Sequence, residues 1–464
     1  MYGTAGRDAD IPSIRSSRLN SPGGLIITTW LVFLLSYALV PISFKRQISL
    51  MTYGYLLACL TAFLIGARRG KPANGYVSAG PGFMKDSSGS VAIERAILCS
   101  AILGMAGTVF VGIDKVLMGE MDLVQGLGNL RFQLGAEYDP FKTRSPLLWM
   151  GTLTYSFSNV SAVLYALCAD KVSRRTGLMA GIASFCPLVI AIVYAGRSLE
   201  LILLLSLFGA CLVRYQCGSR FFPKAALFRW MMAVHLILLC VGTIYIFSSR
   251  STAIKDSNAS STLHRYLDVF DATLSPEVEQ AVNQDTMTGD FTANLLMLVI
   301  YMESPFNELD YLLVDNADAG PFWGRYQVWP LEKSIQMVLG PQRAPELVDL
   351  SIHRTGLYFT FWGAVYLDAG VWLGPILAGC VGLLCGYAYR RAIFGGSWVG
   401  KLFLPLIYSG IVLTPAHSLF AFGNTWQIIF CSALVSLYLW SRKSTDPGRQ
   451  DSGRQGSRVT VSGA

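Results

Sequence analysis

The chain has 464 residues, of which 53% are hydrophobic and 14% charged, and its formal net charge is +8. Soluble domains carry about a quarter charged residues, so this composition excludes an ordinary soluble fold and points to a membrane-embedded chain. The excess positive charge sits in short loops between apolar runs. It therefore reads as a basic cytoplasmic face towards anionic headgroups, and no nucleic-acid partner is implied.

A bilayer core takes about 20 apolar residues per helix. Residues 1–23 are polar and predict a disordered cytoplasmic N-terminus. Residues 24–249 hold seven apolar runs: Leu25–Ile42, Ile48–Ala67, Val91–Ile113, Leu147–Ala169, Leu178–Ala195, Leu199–Val213 and Trp230–Phe247. The first run has no small-residue cleavage site behind it and is followed at once by the second, so it predicts a span and not a signal peptide. A Gly/Ser/Pro-rich inner loop, Pro72–Ser90, follows the second run, and Asp114–Pro146 is the second largest exterior piece. Residues 250–368 form the largest segment between runs and predict a large periplasmic loop. Its apolar stretch Phe291–Met302 is too short to span, which predicts a helix on the membrane face or a re-entrant piece. Residues 369–440 hold three more runs, Val371–Tyr389, Leu402–His417 and Leu419–Trp440, and residues 441–464 predict a disordered cytoplasmic tail. No internal repeat is visible. The expected fold is an all-α polytopic membrane protein with about ten transmembrane helices.

Cytoplasmic loops retain Lys and Arg. Placing the N-terminus inside puts Arg15 and Arg18, Arg68 and Arg69, Lys171 to Arg175, Arg214 to Arg229, Arg390 and Arg391, and Arg442 and Lys443 on one side. Most of the 29 acidic residues fall on the other, chiefly in the large segment. Among the short loops only Lys45–Arg46 breaks the rule, and both termini are expected in the cytoplasm. None of the ten cysteines lies in an outer segment, and the four histidines, His235, His264, His353 and His417, are scattered without metal-ligand spacing. The mid-span regions read as nearly free of charge.

Cations are the residues that stand out on the outer side. Arg197 lies in the tight turn Gly196-Arg197-Ser198 between two runs, where a planar donor fork suits phosphate. Arg250, Arg131 and Arg354 are positioned to converge on the same outer cavity. Each has a plainer alternative as an interfacial anchor or a snorkelling side chain. Asp368 precedes the eighth run, where a carboxylate either caps the helix N-terminus or serves as an acid/base. Glu303, Glu308 and Asp310 are further carboxylate candidates beyond the short apolar stretch. The aromatic residues Trp323, Tyr358 and Tyr366 are able to stack on sugar rings or to form the loop's own core.

Taken together, Leu130-Arg131, Gly196-Arg197-Ser198, Tyr301…Pro305…Leu309-Asp310, Gly320-Pro321-Phe322-Trp323 and Arg354-Thr355-Gly356…Tyr366…Asp368-Ala369-Gly370 resemble the Wzy-type polysaccharide polymerases of bacterial inner membranes. The resemblance runs from about residue 128 to residue 370. It implies a helical membrane fold like that of the C-type glycosyltransferases. It also implies a reaction in which a growing glycan leaves undecaprenyl diphosphate and joins a new lipid-linked repeat unit on the periplasmic face. The expected partners are undecaprenyl-diphosphate-linked glycans, bilayer lipids and a chain-length regulator protein. No cofactor is implied, and a metal-independent mechanism is expected. Under this reading Arg197, Arg250, Arg131 and Arg354 hold the diphosphate, and Asp368, Glu303 or His353 serves as the base. Rival expectations are an O-antigen ligase and a non-enzymatic flippase or transporter.

Overall fold

The computed structural model describes residues 18–70, 87–117, 145–194, 198–253, 259–284, 286–315, 320–328, 331, 359–395 and 397–444. In chain order the labelled elements are α1 (Pro22–Leu39), β1 (Ile42–Phe44), α2 (Leu50–Arg69), α3 (Ser87–Leu117), α4 (Pro146–Thr154), α5 (Phe157–Cys168), α6 (Arg174–Ala183), α7 (Cys186–Val193), α8 (Ser198–Gln216) and α9 (Ala226–Ala253). Then follow α10 (Ala259–Val269), β2 (Ala272–Leu274), α11 (Pro276–Val282), α12 (Met287–Val314), α13 (Phe361–Ile393), α14 (Trp398–Leu413) and α15 (Gly423–Ser444). Every one of the predicted apolar runs coincides with a helix or a pair of helices. Among the described residues seven segments are long and apolar enough to cross a membrane: α1, α2, α3, the α6–α7 pair, α8, α9 and α13.

Helix starts follow local chemistry. Ser21 accepts the Gly24 N–H at the head of α1, with Pro22 in the first turn, and Ser49 does the same for Thr52 at the head of α2. Ser145, Ser173, Thr286 and Thr360 cap α4, α6, α12 and α13. Between apolar helices in lipid, close packing rather than water expulsion supplies the attraction. The extensive contact between α2 and α13 is built that way. A Cβ on Gly66 would stand 2.0 Å from the Gly379 carbonyl oxygen, and one on Gly382 would stand 2.1 Å from that of Phe63.

Two predicted runs are broken helices. The run from Leu178 splits into α6 and α7 at Ser184–Phe185, where Pro187 has no N–H to continue the ladder. The run from Leu147 splits into α4 and α5 at Tyr155–Ser156, where the Ser158 hydroxyl takes the Tyr155 carbonyl at 2.6 Å. The apolar stretch Phe291–Met302 is also more than a short surface helix. It is the first half of the 28-residue α12, which continues through Pro305.

A two-stranded antiparallel sheet ties the α1–α2 link to the segment after α10, with Ile42 opposite Leu274 and Phe44 opposite Ala272. This end of the bundle, the sheet end, carries its own small core of Ile42, Leu263, Leu267, Phe270, Met297 and Ile300. The second half of α12 leaves that core and inserts among α1, α2 and α13, burying Phe306, Leu309, Leu312 and Leu313. Arg46, the exception to the loop-charge pattern, is accounted for there. Its Nε is 2.5 Å from Asp310 Oδ2, its Nη1 bonds Asp315, and its guanidinium lies 4.3 Å from the Tyr311 ring centroid. The positive charge in the wrong loop is matched by carboxylates of the acidic segment.

Candidate active site at the sheet end

The second half of α12 presents a polar stripe. Glu303, Asn307 and Asp310 recur at four and then three residues, which places them on one face of a helix. They are 2%, 1% and 0% exposed. Phe306 lies beside them with Trp30, Phe33, Tyr37 and Tyr53 packed edge-on around its ring. These aromatic contacts press the stripe against the ends of α1 and α2.

Each polar group meets a different partner. Asp310 accepts from Ser49 N at 2.8 Å, Thr52 Oγ1 at 2.6 Å and Arg46 Nε at 2.5 Å. Burial pushes its carboxyl up, but these hydrogen bonds outweigh burial and hold it below the usual carboxylate range. It is a locked, ionised anchor. Glu303 Oε1 accepts from Ser36 Oγ at 3.1 Å, and Tyr37 donates to Asn307 Oδ1 at 3.1 Å. Burial pushes the Glu303 carboxyl above its ordinary range, and the Ser36 hydroxyl only partly offsets this.

The other atoms of these two side chains are unmatched. Glu303 Oε2 and Asn307 Nδ2 are both buried without a hydrogen-bond partner. One is an acceptor and the other a donor, one helical turn apart, where Cβ atoms are separated by about 5–6 Å. Buried polar atoms are nearly always paired. A hydroxyl group, which both donates and accepts, complements such a pair.

Beside this stripe runs an apolar cavity of about 240 Å³ between α13, α14 and the start of α15, lined by Phe361, Leu384, Phe403, Ile407, Thr414 and Leu419 among others. Trp30 touches a residue of each neighbourhood. Its Nε1 donates to Thr414 Oγ1 at 3.0 Å, and its ring lies 6.2 Å from that of Phe306.

Asp368 has a different duty from the one its position in sequence implies. It lies within a helix that starts at Phe361 and kinks at Gly370, where φ is 69°. Its carboxylate does not cap that helix. Oδ1 accepts from Tyr326 N at 2.8 Å and Oδ2 from Gln327 N at 3.1 Å, so it caps the turn of residues 325–328. The backbone adds Phe322 N to Leu367 O and Trp323 N to Asp368 O, and together these bonds latch the loop to α13. Of the aromatic candidates, Trp323 is 74% exposed, whereas Tyr366 is buried edge-on against Tyr55 and offers no face to a sugar. Glu308 is buried in α12. Arg250 lies near the end of α9 in a stretch whose side chains are not described. Arg131, Arg197, His353, Arg354 and Tyr358 lie outside the described residues.

The apolar spans nevertheless bury a polar cluster. Ser184, Glu200 and His235, from three separate apolar runs, meet inside the bundle with all three side chains buried. In sequence His235 is one of four scattered histidines, because nothing in its own run marks a partner. Among the described residues no group of three or more His, Cys, Asp or Glu is arranged to hold a metal ion. Comparison of the chain with protein-family models, with curated proteins and with solved structures finds no match.

Proposed function

We propose that the protein is a glycosyltransferase of the bacterial inner membrane that polymerises oligosaccharide repeat units carried on undecaprenyl diphosphate, in the assembly of O-antigen, capsule or exopolysaccharide. The observation that carries this reading is the unmatched pair Glu303 Oε2 and Asn307 Nδ2 at the sheet end. In this reading Asn307 donates to the acceptor sugar hydroxyl and Glu303 removes its proton as the glycosidic bond forms. A buried carboxyl with a raised pKa is the form of base such a step uses. The bond to the lipid diphosphate breaks in the same step. The leaving diphosphate requires cations, and Arg197, Arg250, Arg131 and Arg354 are assigned that task. The apolar cavity beyond Trp30 offers a seat for part of the polyprenyl chain. The Glu303–Asn307 pair is enclosed in this structure, so acceptor entry requires α12 to shift against α1.

Topology completes the proposal. The proposed topology has ten spans, both termini in the cytoplasm and residues 250–368 in the periplasm, and it puts α12 and its carboxylates on the face where lipid-linked repeat units are presented. A ligase acting on a lipid A core shares much of this logic but as a family relies on a histidine of the outer loop. His264, the described histidine there, makes only a long 3.4 Å contact with Asn283. The transporter reading gains one observation, the buried Glu200–His235 pair, because ionisable residues inside membrane bundles commonly mark ion pathways.

A deletion strain separates the polymerase from the other two. Loss of a polymerase leaves a single repeat unit on the core. Loss of a ligase or a flippase leaves none, and that outcome would remove the polymerase assignment.

A further inference from the structure

Ser184, Glu200 and His235 are 0%, 1% and 0% exposed. Ser184 sits at the break between α6 and α7, Glu200 in the first turn of α8, and His235 on α9. The hydroxyl of Ser184 is 2.6 Å from the Gly181 carbonyl and 2.8 Å from His235 Nε2. His235 Nδ1 is 2.6 Å from Glu200 Oε1. Phe185 covers the imidazole at 4.6 Å between ring centroids, close to parallel.

The positions of the hydrogens follow from these contacts. The Gly181 carbonyl loses its usual helical donor at the break, because Phe185 N turns to Ile182 O. Two acceptors at 2.6 Å repel each other, so the Ser184 hydroxyl hydrogen lies on the Gly181 carbonyl. Ser184 Oγ is then an acceptor, and His235 Nε2 must carry the hydrogen between them. The 2.6 Å contact from Nδ1 to Glu200 also needs a hydrogen. Either Nδ1 carries it, giving an imidazolium facing a carboxylate, or Glu200 carries it, giving a neutral acid donating to a neutral ring. In both forms the pair holds one proton more than a carboxylate beside a neutral histidine, and its net charge is zero. An unpaired carboxylate at this depth would be costly. Glu200 Oε2 is already buried without a partner.

We propose that Glu200 and His235 together form a proton-binding site inside the membrane domain, with one proton shared between them. The same three groups in an exposed cleft would suggest a nucleophilic serine. Here the hydroxyl hydrogen points away from the imidazole and the oxygen is sealed, so acyl transfer is not the fit. The site has a mechanical consequence. The α9 span is only 17% buried, and His235 is its polar anchor to α8 and to the α6–α7 break. The proton therefore exchanges with water only when α9 separates from its neighbours, and α9 also packs against α10 and α12.

The test uses the full chain in lipid nanodiscs with labelled histidine. With four histidines in the chain, His235 is assigned by its absence from His235→Gln. Nitrogen NMR reads the two ring positions, and infrared spectroscopy reads a protonated carboxyl, assigned by its loss in Glu200→Gln. The proposal expects Nε2 protonated together with either a protonated Nδ1 or a protonated Glu200 band. Ser184→Ala, which keeps both titrating groups, should retain that proton. A neutral His235 with no Glu200 carboxyl band, or an unprotonated Nε2 in the wild type, would overturn it.

Discussion

Glu303 and Asp310 lie two turns apart on one helix face, yet their surroundings drive them in opposite directions. Asp310 is gripped by backbone, hydroxyl and guanidinium donors, whereas Glu303 has one hydroxyl and an unmatched oxygen. Glu303→Gln keeps the shape and removes the base, so chain extension should fall by about a hundredfold or more. Glu303→Asp should retain part of the activity. Glycan length at matched expression is the measurement, and normal chains from Glu303→Gln would remove it from the reaction. Asp310→Asn should act on stability instead. It weakens the grip on Ser49, Thr52 and Arg46 while leaving Arg46 its Asp315 partner, and should cost about 1–3 kcal/mol, read as earlier thermal unfolding in detergent. The sign with pH follows from its depressed pKa. The stabilisation is fully present above the unfolded aspartate value, about pH 4, and is lost as pH falls through the lower folded value. In Asp310→Asn this acid-dependent loss should disappear.

At the scale of elements, α2 and α13 form a backbone-to-backbone seam that leaves no room for side chains. Gly382→Leu would place a branched side chain where the Phe63 carbonyl already stands 2.1 Å from an added Cβ. The backbone cannot step aside cheaply, so a loss of at least about 1–3 kcal/mol is expected. Gly54→Leu is the control, because an added Cβ there meets nothing within 4 Å. Comparable melting of the two variants would show that the seam is not close-packed. The apolar runs that become α1, α2, α3, α8, α9 and α13 are legible from hydropathy alone. The breaks in the runs from Leu147 and Leu178 are not, since the Ser158 hydroxyl and the N–H that Pro187 lacks each act at a single position that a window average erases.

For the whole molecule, loop charge sets the expected orientation. Single cysteines introduced by Ser257→Cys, Ala317→Cys and Ser444→Cys in a cysteine-free background should separate the two faces. An impermeant thiol reagent applied to spheroplasts should label the first two and spare the third. Labelling of the third from outside would reverse the orientation and, with it, the periplasmic assignment of α12. Purified protein supplied with lipid-linked repeat units should also retain activity in EDTA, since arginines are assigned the work of neutralising the leaving diphosphate. A strict requirement for added Mg²⁺ or Mn²⁺ would contradict that assignment.

The helical class, the apolar segments and the uneven loop charge were determined by the sequence on its own. They depend on run length and residue counts, which are local properties that the bilayer reads directly. Only the tertiary structure decided which polar groups meet. Arg46 finds Asp310 and Asp315 across the sheet end, Asp368 caps a turn from another part of the chain, and Tyr366 goes into the core. Ser184, Glu200 and His235 come together from three runs in which each is an isolated polar residue. The reason is physical. A lone polar residue in an apolar helix must find its partner on another helix, and the register between helices is set by packing along their whole length. No spacing within a single run records it.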